Sequence, residues 1–367
     1  MKRNGFMTTI DGSYEEAGVA QANFVKLVPP LWDVCFHERE VEESWYHEQR
    51  AMLGEYNQGV LIELDAFCEE LKMSPKQLVY LEQTCMQSGC SHAVFLPSTT
   101  KTADTYVVRT YEFHPEIDDL RLCSTRIQGA YAHTGFSIQL FGRCEGMNEH
   151  GLCVTFSACG MPVGILEGLR KPKAKGLQSW AVVRTLLETC KTVKEAEELL
   201  KAMPIAANMN LIVADCNKQA LLFETMDGKK AMKSIEDRSD TSYLVATNHV
   251  LFDKLLPHTS GQLKNSVKRH SLLTSFVQEQ EKVTIEKVKS LAQVEYPEGL
   301  AVHYYQEYFG TLRALVFHLE ARRIEVCFGA PTHNSWNTYK VGESLPDAEV
   351  PITWTEKVAP GDFWECE

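Results

Sequence analysis

The chain has 367 residues, 44% of them hydrophobic and 23% charged, a globular balance sufficient for one large domain or two ordinary ones. A net charge of −12 argues against a nucleic-acid partner or an anionic membrane surface, and no apolar run reaches the length of a membrane span. Met1-Lys2-Arg3 leads into polar residues rather than an apolar segment, so no secretory signal is read and the expected location is cytoplasmic. The twelve cysteines include no CxxC pair, and the histidines form no ligand-spaced cluster. No metal or organic cofactor is implied, and the default for each cysteine is a buried structural thiol.

In chain order, residues 14–89 read as mostly helical: an amphipathic stretch at 14–26, a polar one at 38–56, apolar spacing at 60–71, and a helix at 76–85 opened by Ser74-Pro75. From Cys90 the texture changes to β-branched and aromatic runs at 93–96, 105–110, 136–142 and 151–157, with a turn at 144–151. Helices are expected at 177–188 and from Thr192 to about Ala202, with Glu195 completing a capping-box pattern and Pro204 stopping the second. Strands return at 210–215, 220–225 and 243–247. Helices at 267–281 and 285–292 and strands at 311–319 and 323–328 follow. Strands and helices in blocks, rather than in βαβ alternation, point to antiparallel sheets covered by helices.

Ser88-Gly89-Cys90-Ser91 is the most informative stretch. A cut before Cys90 leaves a thiol and a free amine on one residue, which together make a nucleophile and its base. The α-amine, with a pKa of about 7.7–8.0, can take the thiol proton and later return it to a leaving amine. Glycine at position 89 leaves room for attack on its own carbonyl.

The downstream motifs carry a family resemblance. Arg109-x-x-Glu112, Gly146-Met147-Asn148-Glu149-x-Gly151-Leu152, Ala246-Thr247-Asn248 with Phe252-Asp253, Asn265-Ser266-x-x-Arg269, Gly310-Thr311-Leu312 and Phe328-Gly329-x-Pro331 occur in that order. From Cys90 on, the chain resembles the N-terminal-nucleophile (Ntn) hydrolases of the choloylglycine hydrolase and penicillin acyltransferase type, with the penicillin acyltransferase branch nearer because of the long segment before the cysteine.

The resemblance implies an α+β fold, a four-layer αββα sandwich of two antiparallel sheets with helices on both outer faces. It implies autocleavage between Gly89 and Cys90 into a helical small chain of residues 1–89 and a large catalytic chain of residues 90–367, which stay together. Cys90 is then the nucleophile, Arg109 favours its thiolate, and Glu112 accepts a hydrogen bond from the Cys90 amine. Asn248 donates to the oxyanion, a backbone N–H near Ala158 is the second donor, and Arg269 completes the set. Two residues depart from the family pattern: Glu112 replaces the usual Asp, and Ala158 stands where relatives often carry Asn or Tyr.

The implied substrate is a small N-acyl amide or acyl thioester, with water or an amine as acceptor. A homo-oligomer is left open. The competing class is an unprocessed, inactive relative that binds a ligand or partner. A cysteine peptidase needs a histidine against Cys90, and only His92 is near in sequence.

Several of these residues also have plain structural readings. Arg109 and Glu112, three apart, fall on opposite faces of a regular strand, so a shared role requires a bend there. Asn208 and Asn210 read as turn or cap residues, Asn148-Glu149 as a tight turn, His249 as a loop histidine, and the Tyr304-Tyr305/Tyr308-Phe309 cluster as core packing rather than an acyl pocket.

Overall fold

The computed structural model describes residues 3–78, 89–163, 170–171 and 173–366. A strand absent from the sequence reading comes first, β1 (Gly5–Gly12), followed by α1 (Tyr14–Leu27). The Ser13 hydroxyl accepts the Glu16 N–H at 3.2 Å while the Glu16 carboxylate accepts the Ser13 N–H at 2.7 Å, a reciprocal cap that fixes where α1 starts. After the short α2 (Pro30–Cys35), the two helices expected at 38–56 and 60–71 form one kinked helix, α3 (Glu43–Leu71). The kink is at Asn57 (φ −154°, ψ 80°), whose Oδ1 accepts the Val60 N–H at 3.2 Å and whose Nδ2 donates to Glu188 at 2.7 Å. The helix expected at 76–85 begins instead as a 3-10 turn, Pro75–Gln77, and residues 79–85 of it lie outside the described residues.

Six strands follow: β2 (Gly89–Phe95), β3 (Tyr106–Phe113), β4 (Arg121–Ile127), β5 (His133–Ile138), β6 (Gly142–Asn148) and β7 (Cys153–Ala158). Then come α4 (Ser179–Thr189), α5 (Val193–Ala202), β8 (Met209–Ala214), β9 (Gln219–Met226), β10 (Lys229–Glu236) and β11 (Tyr243–Ala246). The chain closes with α6 (Lys264–Glu279), α7 (Ile285–Gln293), β12 (His303–Tyr304), β13 (Phe309–His318), β14 (Arg323–Phe328), β15 (Trp336–Lys340) and β16 (Ala348–Val350).

The sequence reading placed a turn at 144–151, but most of that stretch is the fully buried strand β6, and the turn is confined to the residues after Asn148, where Gly151 takes φ +83°. Asn148 does organise that turn, accepting the His150 and Leu152 N–H groups. Thr192 caps α5 as expected, but the Glu195 carboxylate reaches the Lys191 N–H rather than that of Thr192.

The strands form two sheets. The larger runs β10-β9-β8-β7-β6-β5-β4-β1-β16 and is antiparallel except where β1 lies parallel to β4. The smaller runs β11-β2-β3-β13-β14-β15, with β12 on β13, and is antiparallel throughout. Val94, Val107, Leu315 and Phe317 of the small sheet pack on Leu122, Phe136, Met147 and Ile212 of the large one, which is the buried layer between sheets. On the other face of the small sheet, Ala93, Phe95 and Val108 meet Leu273 and Val277 of α6 and Ile285 and Val288 of α7. The outer face of the large sheet carries α1, α3, α4 and α5. The result is an αββα sandwich.

Residues 3–78 are built into this body rather than appended to it. β1 sits between β4 and β16, and Arg184 of α4 joins Glu63 of α3 at 2.5 Å and its own helix's Glu188 at 2.8 Å, all three buried. Gln21 of α1 donates to the same Glu63 at 3.1 Å.

Candidate active site

Strand alternation turns Cys90, with Val94, toward the large sheet, and Ala93 and Phe95 toward α6. On β3, paired residue by residue with β2, Arg109 and Tyr111 share the Cys90 side. Arg109 Nη2 donates to Cys90 Sγ at 3.3 Å and to Cys144 Sγ at 3.2 Å, Nη1 donates to the Phe156 carbonyl, and Nε lies 2.6 Å from Glu145 Oε2. Glu145 Oε1 takes the Arg313 Nε at 2.6 Å, and Arg313 Nη1 reaches Asp118 at 3.1 Å.

This row of charges is fully buried between the sheets. Burial opposes the charge on Arg109, but Cys90, Glu145 and Cys144 outweigh it, and its pKa is raised. Burial likewise opposes charge on Glu145, yet Arg313 and Arg109 hold the carboxyl below its usual range. Glu145, Cys144 and Arg313 were not singled out from sequence. A charged residue inside an apolar strand paired to a distant arginine leaves no local pattern.

The backbone of Cys90 is held from another side. Its N–H donates to Asn248 Oδ1 at 2.9 Å, and its carbonyl accepts from Arg269 Nη1 at 2.5 Å. Arg269 Nη1 also donates to Ser91 Oγ, and Nη2 donates to Asn248 Oδ1 and Asn265 Oδ1, each at 2.9 Å. Asn248 Nδ2 donates to the Ala158 carbonyl at 3.0 Å. Asn265, Ser266 and Arg269 fall on one buried face of α6 by helical spacing, and Ser266 Oγ accepts the Asn248 N–H at 2.8 Å. Arg269 rather than Lys268 therefore points at Cys90; the Lys268 amine lies over the Tyr296 ring.

One expected contact is placed differently. β3 pairs continuously with β2 and has no bend between Arg109 and Glu112, so Glu112 faces α6, away from the thiol. Its Oε1 accepts the Thr311 hydroxyl at 3.3 Å, and the group receiving the Cys90 N–H is Asn248. Burial pushes the Glu112 carboxyl up, against the pull of Arg269, the Thr110 and Thr311 hydroxyls and Arg109. The Ala158 carbonyl accepts from Asn248 Nδ2.

His92 is bound by the Thr155 and Ser157 hydroxyls at 2.7 and 3.2 Å, and burial, reinforced by Arg109, keeps its imidazole well below the usual range. At Gly89 an added Cβ would stand 2.2 Å from Phe309 Cζ. Tyr304 and Phe309 pack on Phe363, as their core-packing reading expects, while Tyr308 is exposed. A cavity of about 550 Å3 opens elsewhere, between β1, α1 and β16, and none of the Cys90 partners lines it.

Two sheets covered by helices, with a strand-borne cysteine whose nitrogen, carbonyl and sulfur each meet a separate polar group, give an Ntn-type αββα fold with a candidate site at Cys90. The family model described as acyl-coenzyme A:6-aminopenicillanic acid acyl-transferase matches residues 99–333, and the chain belongs to that family. Among solved structures it is similar to penicillin V acylase from Agrobacterium tumefaciens, at 17% identity and a TM-score of 0.44, covering 67% of this chain and 85% of that one. It is also similar to a mutant of conjugated bile acid hydrolase from Clostridium perfringens, at 11% identity and a TM-score of 0.45, covering 75% of this chain and 99% of that one. No curated protein sequence matches it.

Among the described residues no helix is long and apolar enough to cross a membrane, and no group of three or more His, Cys, Asp or Glu is arranged to hold a metal ion.

Proposed function

We propose that the chain is a self-processing cysteine Ntn enzyme that cuts itself between Gly89 and Cys90 and then transfers acyl groups from small N-acyl amides or acyl thioesters. The observation that carries this reading is the three-way hold on Cys90: Asn248 Oδ1 on its nitrogen, Arg269 on its carbonyl and Arg109 on its sulfur.

In processing, the sulfur attacks the Gly89 carbonyl, the Cys90 nitrogen takes a proton and leaves as an amine, and water hydrolyses the resulting thioester. This yields a Gly89 carboxylate and a free N-terminal Cys90. In turnover, the Cys90 amine removes the thiol proton, and the thiolate, facing the Arg109 guanidinium, attacks the substrate carbonyl. The tetrahedral oxyanion is stabilised by the Asn248 carboxamide and a backbone N–H near Ala158. The amine returns the proton to the leaving group, and water or an amine resolves the thioester. Glu112 acts through Arg269, whose charge it supports across the outer face of β3. The products of processing, residues 1–89 and 90–367, stay together because β1 is an internal strand of the large sheet.

Intact mass of the purified protein beside Cys90→Ala tests this. Two chains divided at Cys90 that co-elute in gel filtration, and a single chain in the variant, are expected. One uncut chain in both after long incubation would move the reading to an unprocessed ligand- or partner-binding relative.

A further inference from the structure

Asn248 lies in the irregular segment between β11 and the 3-10 helix Asp253–His258, yet it must present a carboxamide to Cys90 with the accuracy of a rigid element. Its own N–H is taken by Ser266 Oγ, and its carbonyl accepts the Gly160 N–H at 2.9 Å. Two side chains of the large sheet add restraints on the backbone to either side of it. Asn210 on β8 and Glu224 on β9 are direct cross-strand partners. Asn210 Nδ2 donates to the carbonyls of Thr247 at 3.1 Å and His249 at 3.2 Å, the residues on either side of Asn248. Glu224 Oε1 accepts the Leu251 N–H at 2.8 Å, and Oε2 accepts that of Phe252 at 3.1 Å. Both side chains are fully buried.

We infer that Asn210 and Glu224 are positioning residues that set the Asn248 carboxamide against Cys90, and that the hold of Glu224 weakens when it is protonated. The inference rests on the catalytic reading of Cys90 and Asn248 given above. A carboxylate accepts two N–H bonds with both oxygens, whereas a carboxylic acid commits one oxygen to its own proton. Burial moves the Glu224 carboxyl up to about 7, against the pull of the Leu251 and Phe252 N–H groups and the Cys159 thiol, so the change of state falls in the neutral range.

The surroundings leave little else to titrate there. The Cys159 thiol, 3.7 Å away, is itself held well above the thiol range by burial and by Glu224. The strand partners on either side are Asn210 and Ala231. Asp253 and Lys254 are exposed, and the His249 imidazole bonds Thr247 and Ser266, with its pKa lowered to about 3 by burial, His270 and Arg269.

The test uses full-length chains and two isosteric variants, Glu224→Gln and Asn210→Asp. Glu224→Gln keeps one acceptor oxygen and so imitates the protonated state at every pH. The ratio of wild-type to Glu224→Gln self-cleavage rates is expected near one below pH 6 and to rise about three- to tenfold above pH 8. Asn210→Asp, which loses the donor to both carbonyls, is expected to be slow at all pH values.

Hydrogen exchange of residues 247–252 in the Cys90→Ala background supplies the second readout. Faster exchange is expected there in both variants, and for Glu224→Gln only at the higher pH, with strands β4 and β13 unchanged. A flat rate ratio together with unchanged exchange in 247–252 would overturn the inference. A wild-type chain that never cleaves would instead overturn the catalytic reading, and the exchange arm would still decide whether these two side chains hold the segment.

Discussion

Glu145 is a buried carboxylate between two buried guanidiniums, and replacing it with Gln keeps the shape while removing the charge that neutralises Arg109. Arg313 retains Asp118 at 3.1 Å, but among the Arg109 partners described above Glu145 is the carboxylate. Removing one member of a buried pair costs about 3–5 kcal/mol, because the other charge stays out of water without compensation. At about 2.1 cal/mol/K per residue, a chain of 367 residues unfolds with an entropy of roughly 0.8 kcal/mol/K, so that cost corresponds to a fall in melting temperature of about 4–6 °C. Differential scanning calorimetry of Glu145→Gln in the Cys90→Ala background measures it without interference from cleavage. A second background, Arg109→Met with and without Glu145→Gln, isolates the pair: once Arg109 is gone, the loss of Glu145 should cost markedly less. A change below about 1 °C in the first comparison, or equal costs in both backgrounds, would refute the claim that Glu145 neutralises Arg109.

Two other outcomes are expected. Gly89→Ala drives a methyl to within 2.2 Å of the Phe309 ring, which is boxed by Phe363 and Trp364; it should cost about 1–3 kcal/mol and slow processing, and Phe309→Leu in the same chain should restore both, read by calorimetry and intact mass. The Glu224 carboxyl, moved from 4.5 to about 7, holds a proton in the folded chain that the unfolded chain releases, so its contribution to stability falls as pH rises through that window and is level above it. By urea unfolding at fixed pH, the wild-type-minus-Glu224→Gln difference should decline by up to about 3 kcal/mol from pH 4.5 to 7, and a difference that rises or stays flat contradicts the burial argument.

What could be read from the sequence followed the range of its signals. The Ser13, Thr192 and Thr284 caps mark the starts of three helices through contacts that span three or four residues, and all three starts are where the sequence puts them. Cys90, Arg109, Asn248 and Arg269, named from the family resemblance, lie in contact with one another. The opposite facing of Arg109 and Glu112 was also legible, since they stand three residues apart on a strand whose faces alternate and β3 pairs regularly with β2.

Where sequence and structure part, a partner distant in the chain decides the local structure. β6 reads Gly-Arg-Cys-Glu-Gly-Met-Asn, a turn by composition, but Arg143 meets Thr125 at 2.6 Å and Glu145 meets Arg313, both deep in the sandwich. β1 and β16 are short or polar, and what makes them strands is a pairing across nearly the whole chain, Met7 with Ala348. Asn210 has the look of a turn residue and acts inside a strand, because the groups it serves arrive 37 and 39 residues later.

That same pairing of β1 with β16 sets an order of events during synthesis. β1 precedes its parallel neighbour β4 by more than a hundred residues and its antiparallel partner β16 by more than three hundred. Contacts that close so large a loop form late, since the entropy of closure must be met before they contribute. A ribosome-bound or truncated chain lacking β16 leaves the large sheet incomplete beside β1. The large sheet that faces Cys90 is therefore finished only when β16 has come back to β1 across more than three hundred residues.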